Sequence, residues 1–321
     1  MAGAEATGAA PDLLARVEAG GLIDAPRPLV AMLSGGRDSV CMLDLAVRHR
    51  GAEAVTALHV DYGLRDDSAE DERFCAELCA RLGVELAVER PRRPEGPGNL
   101  QAWARDARYA AAAALAAPRG ATIVTGHTAD DQVETILYRL ASSPSRRALL
   151  GMRAHDGRLA RPLLGTRREE VTGYLEERGI SWREDRSNQD PAFARNRIRQ
   201  GLLPELERVH PAAAANVLRT AELLRAEAEL LDAAVDEALA AGPGGRNTIA
   251  LERLAELHPA LRRLVVQRLA DAAAGRPVAG AANYAEQVLA LRRTGVAMLD
   301  LGGGVRAVVE RGVLRAERPE A

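Results

Sequence analysis

The hexamer SGGRDS, residues Ser34–Ser39, places small residues, hydroxyls and a carboxylate directly after the apolar run Leu29–Leu33. A helix-like stretch follows, so the hexamer joins a predicted strand to a predicted helix. Glycines let backbone N–H groups approach an anion, and a helix N-terminus adds unpaired donors and partial positive charge. The hexamer predicts a phosphate-binding loop, with a tight turn capped by Asp38 or Ser39 as the structural alternative. The residues expected to hold phosphate are Ser34, Gly35, Gly36, Arg37, Asp38 and Ser39.

Asp38 is the unexpected member of this loop, because a carboxylate repels phosphate. It fits the loop if it binds Mg²⁺, which then bridges to the phosphates. Arg37, beside it, would direct its charge either to the phosphates or to solvent. Asp38 is thus the predicted metal ligand and Mg²⁺ the predicted metal.

A second group of polar residues, His127, Asp131 and Glu134, follows a later apolar run at spacings of four and three. If a helix begins early enough, the three share one of its faces, whereas Asp130 points elsewhere. The spacing lacks the zinc-peptidase pattern, so a metal site is disfavoured. Two carboxylates on one face suit a cationic amine.

All 43 basic residues are arginine, and they are unevenly distributed. Arg105 and Arg108 lie one helical turn apart, and the segment RNRIR, residues 195–199, carries three more. Residues 139–168 contain eight arginines against one acid. Such runs are usually solvated surface, but these arginines could contact phosphates.

The composition narrows the function classes. The absence of lysine excludes a Walker-type loop and Schiff-base catalysis, and a net charge of −2 does not indicate a chain built for nucleic acid. Cys41, Cys75 and Cys79 give no disulfide framework and are expected to be small buried hydrophobes. The sequence lacks a membrane-spanning run and a signal peptide, so we expect a cytoplasmic protein with no membrane partner.

Strand-like and helix-like stretches alternate over the first 180 residues, which predicts an α/β fold: a parallel twisted sheet with helices on both faces. Such sheets bind ligands at the carboxyl ends of their strands. We expect a catalytic domain over 1–208, then a helical linker and a small, mostly helical domain over 209–321, with two or three strands in 295–317. The predicted strands of the catalytic domain are Leu29–Leu33, Ala54–Val60, Val84–Glu89 and Ala121–Thr125.

The pattern Ser-Gly-Gly-x-Asp-Ser resembles the pyrophosphate loop of the N-type ATP pyrophosphatases, the PP-loop family. That family includes GMP synthetase, NAD synthetase and several tRNA-modifying enzymes. Its members cleave ATP between the α and β phosphates, adenylate a carbonyl-type oxygen and release pyrophosphate. The resemblance implies an adenine nucleotide α-hydrolase-like fold and ATP as co-substrate.

Other segments are similar to one subfamily, the tRNA(Ile)-lysidine synthetases, and the similarity is strong over residues 29–206. ARDARY places Arg108 at the position of an active-site arginine, and GHTADDQVET places Asp131 and Glu134 at an acidic pair that binds free lysine. GLR at 63–65 with Ser68 and Glu70, RPL at 161–163 and EDRSNQD at 184–190 also match. In RNRIR, we place Arg199 nearest the chemistry and leave Arg195 and Arg197 to ATP phosphate, substrate or tRNA backbone.

The chain departs from the subfamily in three places. Tyr62 stands where histidine is usual. RLASSPSRRALLGM, residues 139–152, replaces an Arg-Gly-Thr-Gly-type loop, although its serines and arginines could still receive tRNA phosphates. The chain also resembles a short form without the second C-terminal domain. The loop residues in question are Ser142, Ser143, Arg146 and Arg147.

The resemblance implies that ATP adenylates C2 of the wobble cytidine of the CAU-anticodon isoleucine tRNA, and that free L-lysine then displaces AMP to give lysidine. Asp131 and Glu134 cannot both clamp the attacking nitrogen, because carboxylates favour the protonated amine. One acid is expected to fix the α-amino end, and His127 is a candidate proton acceptor. The expected catalytic residues are Asp38, Arg108, His127, Asp131, Glu134 and Arg199.

Two other functions stay open. A tRNA 2-thiocytidine enzyme would want cysteines near the ATP site, an arrangement the three cysteines lack. A non-catalytic tRNA-binding homologue is allowed by the altered loop, although the retained acids and Arg199 argue against it. The small C-terminal domain is expected to contact tRNA, and a homodimer is among the assemblies the sequence allows.

Overall fold

The computed structural model describes residues 13–24, 26–63, 68–94, 99–143, 146–184, 193–240, 242–243, 245 and 247–319. The chain divides into two compact units, Met1–Glu222 and Leu223–Ala321. The boundary expected after residue 208 lies ahead of this division. The start of a long helix accounts for the difference, because its Ala214 packs in a buried cluster with Val133 and Leu137 of the first unit.

The first unit alternates helices and strands as the sequence predicts. Its strands are β1 (Leu29–Met32), β2 (Val55–Val60), β3 (Glu85–Glu89), β4 (Thr122–Val124), β5 (His155–Asp156) and β6 (Leu159–Ala160). Its helices are α1 (Leu13–Ala19), α2 (Arg37–Arg50), α3 (Ser68–Leu82), α4 (Leu100–Ala116), α5 (Ala129–Ser142), α6 (Arg146–Leu149), α7 (Arg168–Glu177), α8 (Ala194–Arg197) and α9 (Leu203–Val209). A π-helical stretch, Ile198–Leu202, joins α8 to α9, and α10 (Ala213–Ala240) runs across the division.

The sheet of the first unit has the strand order β3-β2-β1-β4-β6-β5. All neighbours are parallel except β5, which pairs antiparallel with β6. The chain moves outward from β1 in both directions, so the strand order reverses between β1 and β4. In sheets of this kind, ligands bind at the carboxyl ends of the strands that flank such a reversal.

Buried side chains alternate between the two faces of this sheet. Leu29 and Ala31 of β1 lie in one core with α2 and α3, whereas Val30 lies in a second core with Ala112 and Ala116 of α4. A strand buried on both faces explains the uninterrupted apolar run 29–33. The predicted fold class, a parallel sheet with helices on both faces, is confirmed.

The second unit contains an antiparallel sheet of β7 (Thr248–Ala250), β8 (Val296–Gly302), β9 (Val305–Glu310) and β10 (Val313–Glu317), in the order β7-β10-β9-β8. Helices α11 (Leu251–Glu256), α12 (Pro259–Ala274) and α13 (Ala285–Leu289) accompany it. Ile249, Val265 and Val309 share its core. The predicted strands in 295–317 are present, and the three-residue β7 is an addition.

The cap of α4, the cysteines and the helix lengths complete the description of the fold. Asn99 caps α4, accepting a hydrogen bond from the backbone N–H of Ala102 at 3.1 Å. Cys41, Cys75 and Cys79 are free and buried. In the described part of the chain, no helix is long and apolar enough to cross a membrane.

Candidate active site

The loop between β1 and α2 is an open anion cradle. Helix α2 begins at Arg37, so Asp38 belongs to its first turn. Gly36 is the N-cap and supplies no side-chain cap, which leaves first-turn N–H groups for a ligand. Ser39 Oγ donates to Gly36 O at 2.8 Å and accepts from Ser34 N at 3.2 Å, and this holds the loop in shape.

Two glycines are required by the backbone of this region. Gly35 has φ +83°, where a side chain would be strained. Gly126, in the loop after β4, lies so close to the phosphate loop that a Cβ there would overlap the Asp38 carbonyl. The loops after β1 and β4 therefore touch at the reversal of strand order, which is where a nucleotide site is expected.

Arg37, predicted to face phosphate or solvent, instead makes two contacts with the protein. Its Nη1 donates to Thr172 Oγ1 at 3.0 Å, and its Nε pairs with Asp38 Oδ1 at 3.2 Å. This ties the start of α2 to α7. The cradle is therefore built from backbone N–H groups and serines, with Arg37 as a brace.

Arg183 holds the opposite side of the cradle. Its backbone N–H donates to Gly35 O at 2.9 Å, and its guanidinium pairs with Asp71 at 2.9 Å and Glu70 at 3.0 Å. Glu70, which the sequence associates with a family motif, thus supports the loop through an arginine. The neighbouring motif residues 64–65 and 185–190 lie outside the described residues.

Three carboxylates and three guanidiniums form the centre of the site. Arg199 binds Glu134 through two hydrogen bonds, Nε–Oε1 at 2.6 Å and Nη2–Oε2 at 3.1 Å. Arg168 lies between all three acids, 3.6 Å from Asp38, 3.4 Å from Asp131 and 3.8 Å from Glu134. We call Asp38, Asp131, Glu134, Arg37, Arg168 and Arg199 the paired cluster.

The start of α5 separates His127 from Asp131 and Glu134, with which it was expected to share a helix face. Helix α5 begins at Ala129 with Thr128 as N-cap, so His127 precedes the helix rather than sharing its face. Asp131 Oδ2 accepts the Thr128 N–H at 2.9 Å as part of a capping box, and only Oδ1 points to the arginines. Asp130 does point elsewhere, accepting the backbone N–H of Arg168 at 2.7 Å.

Burial shifts the pKa values of the acids in this centre. The Glu134 side chain is 2% exposed, and burial raises the pKa of its carboxyl against the opposing effect of Arg199. Burial likewise raises the pKa of Asp38, while Arg168 acts in the opposite direction. The two arginines therefore oppose the effect of burial on these carboxyls.

His127 is a neutral imidazole at pH 7. Burial lowers its pKa to about 4; the charge of Asp131 opposes this, and those of Arg161, Arg108 and Arg195 reinforce it. Its Nδ1 is 2.7 Å from Thr125 Oγ1. A neutral ring beside acids and arginines can accept a proton.

Arg108 lies beside the site, and its charge acts on both His127 and Tyr62. Tyr62 packs edge-on against Trp103, with ring centroids 5.9 Å apart. Arg195 likewise acts on His127. Of the altered loop, Ser142 and Ser143 end α5, and Arg146 and Arg147 begin α6.

Sequence reasoning missed two residues of the site. Arg168, at the first position of α7, contacts all three acids, and Gly126 permits the two loops to touch. The signal for Gly126 was a glycine directly after a buried strand. Arg168 had only its place in a run of arginines, because its partners are distant in the sequence.

Asp38 fits a role as a magnesium ligand. Among the described residues, no group of three or more His, Cys, Asp or Glu side chains could hold a metal ion. Mg²⁺ commonly binds through one or two carboxylates together with substrate phosphates, and Asp38 stands at the mouth of the cradle. A metal here would thus take its remaining ligands from phosphate and water.

Comparisons with known proteins agree with this architecture. Residues 14–206 match the family model of the PP-loop domain. The U34-tRNA thiolase NcsA from Methanococcus maripaludis, solved with its [4Fe-4S] cluster, is similar in structure with a TM-score of 0.56 at 16% identity. The match covers 67% of this chain and 78% of that one. At this identity the likeness concerns the fold alone.

Curated relatives are much closer in sequence. The tRNA(Ile)-lysidine synthase of Thermus thermophilus is 40% identical over 295 residues, 89% of this chain and 56% of the relative. That of Mycolicibacterium paratuberculosis is 40% identical over 236 residues, 73% of this chain and 72% of the relative. The chain thus spans little more than half the length of the Thermus relative. The phosphate loop, the acids of α5 and this similarity together show that the chain belongs to the tRNA(Ile)-lysidine synthase family of PP-loop proteins.

Proposed function

We propose that this protein uses ATP and free L-lysine to convert the wobble cytidine of the CAU-anticodon isoleucine tRNA into lysidine, releasing pyrophosphate and AMP. The observation that carries the proposal is the paired cluster at the mouth of the phosphate cradle. Arginines suited to phosphate and acids suited to an amine lie within 4 Å of one another there.

The phosphate loop is proposed to bind the ATP triphosphate through the backbone N–H groups of α2 and the hydroxyls of Ser34 and Ser39. These donors are aimed before the reaction begins, so they stabilise charge developing on pyrophosphate at little reorganisation cost. Mg²⁺ held by Asp38 would supply additional stabilisation of that charge. Arg168 lies 3.6 Å from Asp38, where its positive charge would offset the negative charge of Asp38 and the phosphates.

Asp131 and Glu134 are proposed to receive lysine. In the free protein their partners are Arg168 and Arg199, whose guanidiniums occupy the place of a substrate ammonium. ATP phosphates offer Arg199 an alternative partner, and its transfer to them would expose Glu134 to the amine. We therefore propose that ATP binds first and increases the affinity for lysine.

His127 is proposed to accept the proton lost when the lysine ε-amine attacks C2. The amine must be neutral to attack, and a neutral imidazole next to Asp131 can take its proton. Arg108, whose charge also acts on His127, is proposed to stabilise negative charge on the adenylated oxygen or on departing AMP.

No observation favours the sulfur-transfer alternative. Burial raises the pKa of Cys75 to about 12 and of Cys79 to about 11, so neither thiol forms the thiolate that such chemistry needs. The second unit is proposed to contact tRNA, in keeping with the family, and the cytoplasm is the proposed place of reaction. Sedimentation separates a monomer from the homodimer that the sequence allows.

The proposal is tested by measuring AMP and pyrophosphate release from ATP in the presence of CAU-anticodon isoleucine tRNA and free L-lysine, because lysine is what displaces AMP. The wild-type protein is expected to release both products only when tRNA is present. Asp38→Ala should abolish the release while tRNA binding survives, and Asp156→Ala, in the exposed β5, serves as a control of equal charge change. Unchanged release by Asp38→Ala, or release independent of tRNA, would contradict the proposal.

A further inference from the structure

A second set of arginines surrounds the site without carboxylate partners. Within the described residues, each arginine of the paired cluster has an acid within 4 Å, whereas the guanidiniums of this second set have none. We call them the open arginine cluster. Its members are Arg105, Arg108, Arg139, Arg161 and Arg195.

One backbone segment holds two members of the open cluster together. Arg139 Nη1 donates to Gly151 O at 2.6 Å, and Arg161 Nη1 donates to Arg153 O at 2.7 Å. Neutral carbonyls fix the two guanidiniums but do not cancel their charge. The backbone of residues 151–153 thus fixes the positions of these two cations.

Buried donors in the open cluster lack partners. Arg161 is 6% exposed, and its Nε has no hydrogen-bond partner. The Nε of Arg108 and the hydroxyl of Tyr109 are also buried without partners. An unsatisfied donor on a buried cation is costly, so such groups usually mark a place where a ligand binds.

The members of the open cluster repel one another. Burial lowers the pKa of Arg139, and the charges of Arg105, Arg195 and Arg161 lower it further. Arg161, Arg108 and Arg195 act in the same way on His127. The cluster is therefore one electrostatic unit that begins beside His127 and lacks a counter-charge.

Aromatic rings accompany the arginines of α4. The guanidiniums of Arg105 and Arg108 lie 5.1 and 5.5 Å from the ring centroid of Tyr109. Tyr62 and Trp103 form an aromatic pair beside them. Only 3% of the residues are Phe, Trp or Tyr, so three such rings near one cationic group are informative. Bases of single-stranded RNA stack on aromatic rings and guanidinium planes.

The open cluster extends away from the phosphate loop along α5. Asp131, Thr135 and Arg139 follow at intervals of four residues and form one row on the helix. Arg139 is thus about 12 Å from Asp131 along the helix axis. The N-terminal end of the row adjoins the phosphate loop through Gly126. The far end lies beyond the place proposed for the triphosphate.

We propose that the open arginine cluster binds the RNA phosphodiesters that flank the nucleotide being modified, with Tyr109, beside two of the arginines, as a stacking surface. The inference deepens the proposed function and rests on RNA being the substrate. Phosphate supplies the missing counter-charge, and the aromatic rings favour RNA over an acidic peptide. Phosphate bound in the cluster would also offset the arginine charges that add to burial in lowering the pKa of His127.

The test measures the affinity for a CAU-anticodon stem–loop RNA at several salt concentrations, without ATP or lysine. Arg105 and Arg195 are exposed, so Arg105→Met and Arg195→Met should fold normally. Each is expected to weaken binding about fivefold at 0.1 M salt and to lower the salt slope by about 0.7. The double variant should lose about 25-fold. Arg119→Met, in the exposed turn that follows α4, removes the same charge and should bind like wild type.

Other ligands give different results. Affinity for a non-hydrolysable ATP analogue should change less than twofold in all variants. Unchanged RNA affinity in the double variant would overturn the inference. Loss of the ATP analogue instead of RNA would assign the cluster to triphosphate, and polyglutamate competing as well as RNA would assign it to an acidic peptide.

This outcome is separable from that of the proposed function, because RNA binding needs neither ATP nor lysine. If the variants bind RNA weakly and the wild type forms no lysidine, the RNA-binding role of the open arginine cluster is supported and the proposed reaction is rejected. Normal RNA binding by the variants, with lysidine formed by the wild type, would do the reverse.

Discussion

The bidentate pair of Glu134 and Arg199 offers a quantitative test of the site. Glu134 is 2% exposed and Arg199 is 30% exposed, so removing either partner leaves a desolvated charge. Breaking a buried ion pair costs about 3–5 kcal/mol. Water reaches Arg199, and Arg168 remains 3.8 Å from Glu134, so the loss should be smaller here. We expect Glu134→Gln and Arg199→Met each to lower the free energy of unfolding by about 2–3 kcal/mol.

The double variant should cost much less than the sum of the two single variants, because it leaves neither charge alone. We expect a coupling energy of about 2 kcal/mol. The only tryptophans of the chain, Trp103 and Trp182, both lie in the first unit. Tryptophan fluorescence during urea unfolding therefore reports that unit, and each single variant should lower the midpoint by roughly 1 M.

Glu177→Gln, on an exposed position of α7, is the matched control and should change stability by less than about 0.5 kcal/mol. If the two single-variant effects add within about 0.5 kcal/mol, the side chains do not interact in solution. The proposed exchange of Arg199 between Glu134 and ATP phosphate would then lose its basis.

Three further predictions concern single groups. The Cβ of Gly126→Ala would overlap the Asp38 carbonyl, so this variant should bind an ATP analogue at least tenfold more weakly by calorimetry. Unchanged affinity would show that the loops after β1 and β4 do not touch. As a control, Gly173→Ala, in α7 with open space for a Cβ, should stabilise the folded protein by about 0.5–1 kcal/mol. The His127 pKa should be about 4 by NMR. Because this pKa is lowered from 6.5, the neutral ring contributes stability above pH 6.5 that is lost as pH falls through 4, and His127→Gln should flatten the unfolding curve there; a pKa near 6.5 would contradict its burial. Cys75, whose pKa is about 12, should react with iodoacetamide only after unfolding, and rapid labelling of the folded protein would mean that the thiol is accessible.

Local patterns in the sequence were sufficient to predict the fold of the first unit and the residue types of its site. The run 29–33 and the hexamer after it specify a buried strand and an anion loop through neighbouring residues. The alternation of strand-like and helix-like stretches predicted the parallel sheet, again from neighbouring residues. The family resemblance then indicated Asp131, Glu134 and Arg199 as site residues. In the structure, Arg199 contacts both acids.

Partners that are distant in the sequence could not be predicted. Nothing near Arg168 in the sequence shows that α7 brings it among three acids, and nothing near Arg37 shows that it contacts Thr172. The start of α5 was also ambiguous, because Thr128 caps the helix and leaves His127 outside it.

The most direct test of the proposed function is the transfer of labelled lysine to tRNA. The protein is incubated with ATP, Mg²⁺, labelled L-lysine and isoleucine tRNA carrying a CAU anticodon, and the digested nucleosides are analysed by mass spectrometry. We expect label in one modified cytidine at the wobble position, dependent on ATP and lost in Asp38→Ala. Intact tRNA and ATP binding without any lysine transfer would contradict the reaction and leave a non-catalytic RNA-binding protein.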